Sequence, residues 1–337
     1  MFYLTYRPRT IAELDNVKPR ELITSLLGSP QLPHAFLFVG HKGTGKTSTA
    51  RLVAKSINCT NRTGIEPCNA CDACKAIDTS TYPDVLEMDA ASNRGINEIK
   101  ELIKESSLMP MGGKYRVYII DEAHMITTDG FNALLKTLEE PPETVVFILA
   151  TTNLEKVPKT IQSRCVMVQF GTAQEHEIIH MLGRIKKAEH VTISDDALKV
   201  IAAHSDHSFR DAAKLFEELI VAKKTDVDAI AAHIGIRSKT NLYDALTKKN
   251  QQKMVAWVKE FTESGGNVQL LIEDLLSDLQ THLLYVNKIP TIQSELSFSL
   301  KETVVLMKVL NEAYGLLRLS PFPAIPLQVA LIEYCGN

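Results

Sequence analysis

The reading turns on residues 35 to 47, Ala35-Phe36-Leu37-Phe38-Val39-Gly40-His41-Lys42-Gly43-Thr44-Gly45-Lys46-Thr47. Ala35–Val39 is an apolar run of strand length. Gly40–Thr47 fits G-x-x-x-x-G-K-[ST], and Lys46–Ile57 behind it has helical spacing. A glycine-rich turn between a buried strand and a helix is the setting of a phosphate-binding loop. Glycines let the backbone approach an anion closely, and the free N–H groups at the helix start give it positive potential. Lys46 is expected to reach the β- and γ-phosphates of ATP, and Thr47 to ligate Mg²⁺.

Working outward, Val117-Tyr118-Ile119-Ile120-Asp121-Glu122 is an apolar strand ending in two carboxylates, a Walker B pattern. Asp121 is expected to hold Mg²⁺ and Glu122 to polarise the attacking water as a general base. Asp121-Glu122-Ala123-His124 also spells the motif of a helicase class. Such a helicase needs a second strand-rich domain facing the nucleotide. After about Phe170 the strand signal ends, which argues against that reading.

The first half alternates strands with helices. Ala35–Val39, Asp84–Met88, Val117–Ile120 and Val145–Leu149 read as strands, and Lys46–Ile57 and Asp129–Glu140 as helices. Pro141-Pro142 ends the second helix. The alternation predicts an α/β domain with a mostly parallel sheet. Beyond it, Glu175–Glu189, Ser194–Ala203 and Phe209–Ala222 are helical, with Ser194 as N-cap. From about Lys239 the chain is helical again, and Leu271, Leu275, Leu276, Leu279 and Leu283 form one stripe, read as the core of a bundle.

Length and charge set bounds. The chain has 337 residues, 45% hydrophobic, with a formal net charge of −3. It is long enough for two or three domains, and it has no global positive field to draw it to nucleic acid. Arg7, Pro8 and Arg9 interrupt the N-terminal apolar run before a signal-peptide core forms, and no stretch reaches membrane-spanning length. A cytoplasmic protein without a membrane partner is expected.

Four of the six cysteines cluster as Cys59-x₈-Cys68-x₂-Cys71-x₂-Cys74. In a reducing compartment such spacing points to metal rather than disulfides. Four thiolates suit tetrahedral Zn²⁺ in a closed, structural site, with an iron–sulfur cluster as the alternative. Cys165 and Cys335 stand apart from the set.

Taken together, Tyr6-Arg7-Pro8, His34–Thr47, the cysteine cluster, Leu86–Ser92, Val117–His124, Asn132–Pro142 (NALLKTLEEPP), Ala150–Thr152, Ser163-Arg164-Cys165 and Ser208–Ala212 resemble the bacterial clamp-loader gamma/tau family of AAA+ ATPases. The likeness is close from Tyr6 to about Ile236 and fainter beyond. It implies an AAA+ domain with a zinc-binding insertion over 1–170, a helical lid over 171–237 and an all-α collar and oligomerisation domain over 238–337. It implies nucleotide contacts at Tyr6, Arg7, Gly40, Gly43, Thr44, Gly45, Lys46, Thr47 and Ser48. Thr152 matches sensor 1 and Arg210 sensor 2, and Arg164 matches a finger that acts in trans on a neighbouring subunit's site. Lys136 matches a position that contacts the DNA backbone, and Arg94 lies near other such positions, from which the family's basic residues are offset by one. The implied activity is ATP-driven opening of a sliding clamp and its loading onto primed DNA, within a hetero-oligomeric ring that also meets the polymerase core. An ATP-binding replication scaffold of low turnover is the alternative. Glu13–Lys18 departs from the family's usual run ending in Gly-Gln, so the adenine-side contacts are left open.

Overall fold

The computed structural model describes residues 1–92, 96–234, 239–263, 265–289, 293–294 and 296–336. These fall into two compact units, Met1–Thr225 and Asp226–Asn337.

In the first unit, α1 (Phe2–Thr5) and α2 (Val17–Gly28) precede β1 (Ala35–Gly40) and α3 (Lys46–Asn58). Next come α4 (Asp72–Asp78), β2 (Val85–Asp89), α5 (Ile96–Ser106), β3 (Arg116–Asp121), α6 (Thr128–Glu139) and β4 (Val145–Thr151). The unit closes with α7 (Lys159–Gln162), β5 (Val166–Gly171), α8 (Glu175–Ala188), α9 (Asp195–Ala203) and α10 (Phe209–Val221). The sheet order is β2-β3-β4-β1-β5, and every pairing is parallel.

Parallel strands need covering on both faces, and β1, β3 and β4 read accordingly as near-continuous apolar runs. Phe36, Phe38, Val117, Ile119, Val146 and Ile148 point into the core under α2 and α3. Leu37, Tyr118, Ile120, Phe147 and Leu149 point the other way, against α5 and α6. This alternation within all-apolar strands keeps the sheet rigid and sets the ends of β1, β3 and β4 side by side. Those C-terminal ends are where open α/β sheets place their ligands.

The fifth strand was not legible from the sequence. β5 lies at the sheet edge, and its residues alternate between partial burial, burial and exposure, which weakens the apolar signal. The other strand and helix readings of the first half agree with the structure to within two residues at each end.

The second unit contains α11 (Val227–Ile234), α12 (Thr240–Thr247), α13 (Gln251–Glu263), α14 (Val268–Val286), α15 (Leu300–Leu316) and α16 (Ala324–Gly336). Its core joins Leu271, Leu275 and Leu279 to Trp257, Phe261, Leu306, Leu310, Leu327 and Leu331. Leu276 packs against this cluster at its margin. Leu283 is half-buried, and the fully buried place beside it is taken by His282. The two ring nitrogens of His282 bond Ser294 Oγ at 2.9 Å and the Phe298 carbonyl at 2.8 Å, so the buried imidazole is satisfied. Among the described residues no helix is long and apolar enough to cross a membrane.

Candidate nucleotide and metal sites

The loop after β1 is built for a polyanion. Gly43 and Gly45 have φ of +78° and +96°, conformations that side chains resist. A Cβ on Gly43 would also lie 1.9 Å from Ser208 Oγ of the α10 N-cap. The loop therefore needs glycine both for its own turn and for the approach of α10. Lys46 is 6% exposed, and its Nζ donates to the carbonyls of Gly40 and His41, both at 2.8 Å. Thr44 Oγ1 donates to the His41 carbonyl at 2.8 Å and completes the curl.

The two carboxylates at the end of β3 sit opposite. Thr47 Oγ1 donates to Asp121 Oδ2 at 2.6 Å, and Asp121 Oδ1 accepts from the Glu122 N–H at 2.9 Å. Glu122 has φ 48° and ψ 42°, a left-handed backbone for a residue that is not glycine. Strain of this kind is held by its surroundings and concentrates at functional sites. Thr152 Oγ1 donates to Glu122 Oε2 at 3.2 Å. The neighbouring Thr151 hydroxyl donates to the Asn153 carbonyl at 3.1 Å. Its oxygen also lies 3.1 Å from His124 Nδ1. The same Nδ1 lies 3.4 Å from Glu122 Oε2. Glu122 is thus held from two sides.

A cleft of about 280 Å³ opens beside these groups. Its walls include Tyr6, Arg7, Leu14, Asn16, Phe170 and Met181, and Ser48, Arg51 and Arg210 line it as well. Despite its departure from the family pattern, the 13–18 segment contributes Leu14, Asp15 and Asn16 to the wall. Asn16 Nδ2 donates to the Phe170 carbonyl at 2.7 Å, and Asp15 accepts from Arg184 and meets His180 Nδ1 at 2.9 Å. Burial, followed by Arg51 and Arg210, pulls the Arg7 guanidinium below its ordinary value. Burial also lowers the Lys46 ammonium, partly offset by Asp121 and Glu122. Crowded, desolvated cations of this kind are relieved by a polyanion, so the cleft fits a nucleoside triphosphate.

Sequence reading missed Arg51 and Glu87. Arg51 donates to both Glu87 carboxylate oxygens, at 2.7 and 2.9 Å, on the wall of the cleft. Arg51 lies four residues after Thr47 on α3, so helical spacing alone put it on the same face. Its partner on β2 could not be read from spacing.

Arg164 is absent from the lining of this cleft. Its guanidinium donates to Glu139 of α6 and to the Thr160 carbonyl at 2.7 Å. Arg210 does line the cleft, at the first turn of α10. Lys136 is exposed on α6. Arg94 lies outside the described residues.

The four cysteines converge. The sulfurs of Cys59, Cys68, Cys71 and Cys74 all lie within 4.8 Å of one another, and Cys71 Sγ is 3.9 Å from Cys59 Sγ. Tetrahedral zinc with bonds of about 2.3 Å needs sulfurs about 3.8 Å apart, so the donor set fits. Backbone N–H groups of Cys68, Cys71 and Cys74 donate to the sulfurs of Cys59, Cys68 and Cys71. N–H donation from Ala70 and Cys71 lowers the Cys68 thiol. Burial raises that of Cys71, but N–H donation from Cys74 and Thr60 outweighs it and brings the thiol to about 6. Cys74 is fully buried, and burial holds its thiol well above the ordinary range. Cys165 and Cys335 are outside the cluster.

A five-stranded parallel sheet with this loop and carboxylate pair, joined to the α8–α10 helices, defines the AAA+ class of P-loop proteins. The RuvB Holliday junction branch migration motor of Thermotoga maritima shares the fold, with a TM-score of 0.51 at 18% identity over 73% of this chain and 79% of that one. A family model described as "DNA polymerase III, delta subunit" matches residues 18–174. DNA polymerase III subunit tau of Bacillus subtilis is 34% identical over 99% of this chain and 62% of its own length. Subunit tau of Escherichia coli is 36% identical over 80% of this chain and 43% of its own. Subunit gamma of Buchnera aphidicola (subsp. Baizongia pistaciae) is 33% identical over 86% of this chain and 79% of its own. The chain belongs to the DNA polymerase III gamma/tau subunit family. The delta description covers only part of the first unit, whereas the gamma and tau alignments run through most of the chain, and they decide the family name. The chain spans about half the length of the tau relatives it matches.

Proposed function

We propose that the chain is an ATP-hydrolysing motor subunit of the DNA polymerase III clamp loader, which opens a sliding clamp and loads it onto primed DNA. The observation that carries the ATPase part is the 2.6 Å contact between Thr47 and Asp121, with Lys46 and Glu122 beside it. The loader part is supported by family membership.

In this reading the P-loop N–H groups and Lys46 bind the phosphates, and Lys46 exchanges its two carbonyl partners for phosphate oxygens. Thr47 and Asp121 would hold Mg²⁺, which would neutralise charge on the phosphate. Glu122 takes a proton from the attacking water, and Thr152 keeps its carboxylate aimed. Arg210 brings α10 against the phosphates. Arg164 serves a neighbour's site. The cysteines hold a structural Zn²⁺. Residues 1–170, 171–237 and 238–337 act as ATPase domain, lid and collar. The work is cytoplasmic, with Lys136 and Arg94 near the DNA backbone. Such contacts respond to salt rather than sequence.

The test is an ATPase assay of the assembled complex, with and without clamp and primed DNA. Stimulation by both is expected. A rate indifferent to either would remove the loader reading and favour a low-turnover scaffold.

A further inference from the structure

The cysteine-bearing insertion does more than decorate α3: it bonds the turn that leads into the wall of the cleft. Thr63 and Glu66 pair across a tight bridge, N–H to carbonyl in both directions at 3.2 and 3.0 Å. The bridge is fastened to α3 because Ser56 Oγ donates to the Ile65 carbonyl at 2.6 Å. The Glu66 carboxylate then accepts two backbone N–H groups from a distant part of the chain, Ile11 at 2.7 Å and Ala12 at 2.9 Å. Ile11 is fully buried, and its carbonyl accepts from the Leu14 N–H at 3.1 Å. Leu14, Asp15 and Asn16, immediately following, line the cleft. Cys68, two residues after Glu66, belongs to the four-sulfur cluster.

We propose that Glu66 is a positioning residue through which the metal-binding insertion sets the base-side wall of the cleft. This rests on the reading that the cleft binds ATP. A carboxylate that accepts two N–H groups fixes a short turn far better than water does, because both acceptor oxygens are used and the bonds are charge-assisted. Metal fixes Cys68, the bridge fixes Glu66, and Glu66 fixes the turn from which Leu14–Asn16 project. The phosphate grip at Gly40–Thr47 has its own support in β1 and α3 and does not pass through Glu66.

The experiment compares wild type, Glu66→Ala and Glu66→Gln as full chains. Zinc content is measured by atomic absorption, and the affinities of ATP and of inorganic tripolyphosphate by displacement of a fluorescent ATP analogue. Glu66→Ala is expected to keep its zinc and its tripolyphosphate affinity and to weaken ATP by roughly tenfold, the scale of one charge-assisted hydrogen bond. Glu66→Gln keeps one acceptor and turns an NH₂ toward the second N–H, so its loss is expected to be smaller but in the same direction. Stripping zinc with a chelator should weaken ATP in wild type by a similar factor and in Glu66→Ala hardly at all. Unchanged ATP affinity in both variants would overturn the proposal. So would a parallel loss of tripolyphosphate, or a zinc effect of equal size in wild type and variant. A wild-type chain that binds neither compound would instead sink the nucleotide reading beneath it.

Discussion

At the scale of single residues, the nucleotide site separates groups that hold from groups that react. Lys46 is buried and bonded to two carbonyls of the loop, and in the proposed reading it turns from them to the phosphates. Lys46→Ala is expected to abolish ATP binding in a fluorescent-analogue titration. The Glu122 carboxylate touches neither the P-loop backbone nor Lys46 by a hydrogen bond among those described, and it lies against Thr152 and His124. Glu122→Gln should keep ATP affinity within a few fold while phosphate release falls ~10²–10⁴-fold, the ordinary range for a general base. Equal losses in binding and turnover would place Glu122 among the holding groups. Lys46, Thr47 and Asp121 were legible because phosphate and metal chemistry allow few other residues at those places. The two-sided restraint of Glu122 was not, because Thr152 lies thirty residues away, just past the end of the neighbouring strand.

At the scale of elements, polar groups at the ends of helices and strands decide how the first unit is fastened. Asp84, fully buried just before β2, accepts N–H bonds from Met111, Gly112 and Gly113, each at 2.7 Å. Burial alone would raise its carboxyl, but the three N–H groups outweigh that and hold it below the ordinary carboxylate range. Because the folded state lowers this pKa, the stabilisation is full above the unfolded value of about 4 and disappears as pH falls through the folded value. Asp84→Asn should cost about 2–4 kcal/mol at neutral pH, and the difference from wild type should shrink on acidification in denaturant melts followed by far-UV circular dichroism. A difference independent of pH would contradict the ionised form. At the far end of α3, Lys55 is 1% exposed and bonds both Asp78 oxygens at 2.8 and 2.9 Å, tying α4 and the cysteine cluster to the P-loop helix. Helical periodicity revealed α3 but not this role. A lysine in a helical stripe reads as solvated until its partner is known, and that partner stands in the insertion.

At the scale of the whole molecule, the second unit carries its own reporter. Trp257 is the only tryptophan of the sequence, and it stacks on Phe261 at 5.3 Å inside that unit's core. Leu275 is 1% exposed in the same cluster, so Leu275→Ala should cost about 2–5 kcal/mol, read as an earlier denaturation midpoint in tryptophan fluorescence. An unmoved midpoint would mean that the stripe on α14 does not hold this unit together. The stripe was legible because leucines at helical spacing make one apolar face, which is stabilised by burial. His282 was not, because a buried imidazole depends on Ser294 and Phe298 finding both its nitrogens. Catalysis belongs to this scale as well. Arg164→Ala should leave ATP binding intact while turnover of the assembled complex falls ~10³–10⁵-fold, as for an arginine supplied in trans. Unchanged turnover would remove that role. The position of Arg164, held by Glu139 and Thr160 rather than in its own cleft, then fixes a direction. If Arg164 serves a neighbour as proposed, each chain has a socket that takes an arginine and a plug that gives one, and the two are different surfaces. Copies joined this way must run head to tail. In an open arc the chain at one end keeps an empty socket and the chain at the other an idle plug, so a row of such subunits has one fewer complete site than it has members.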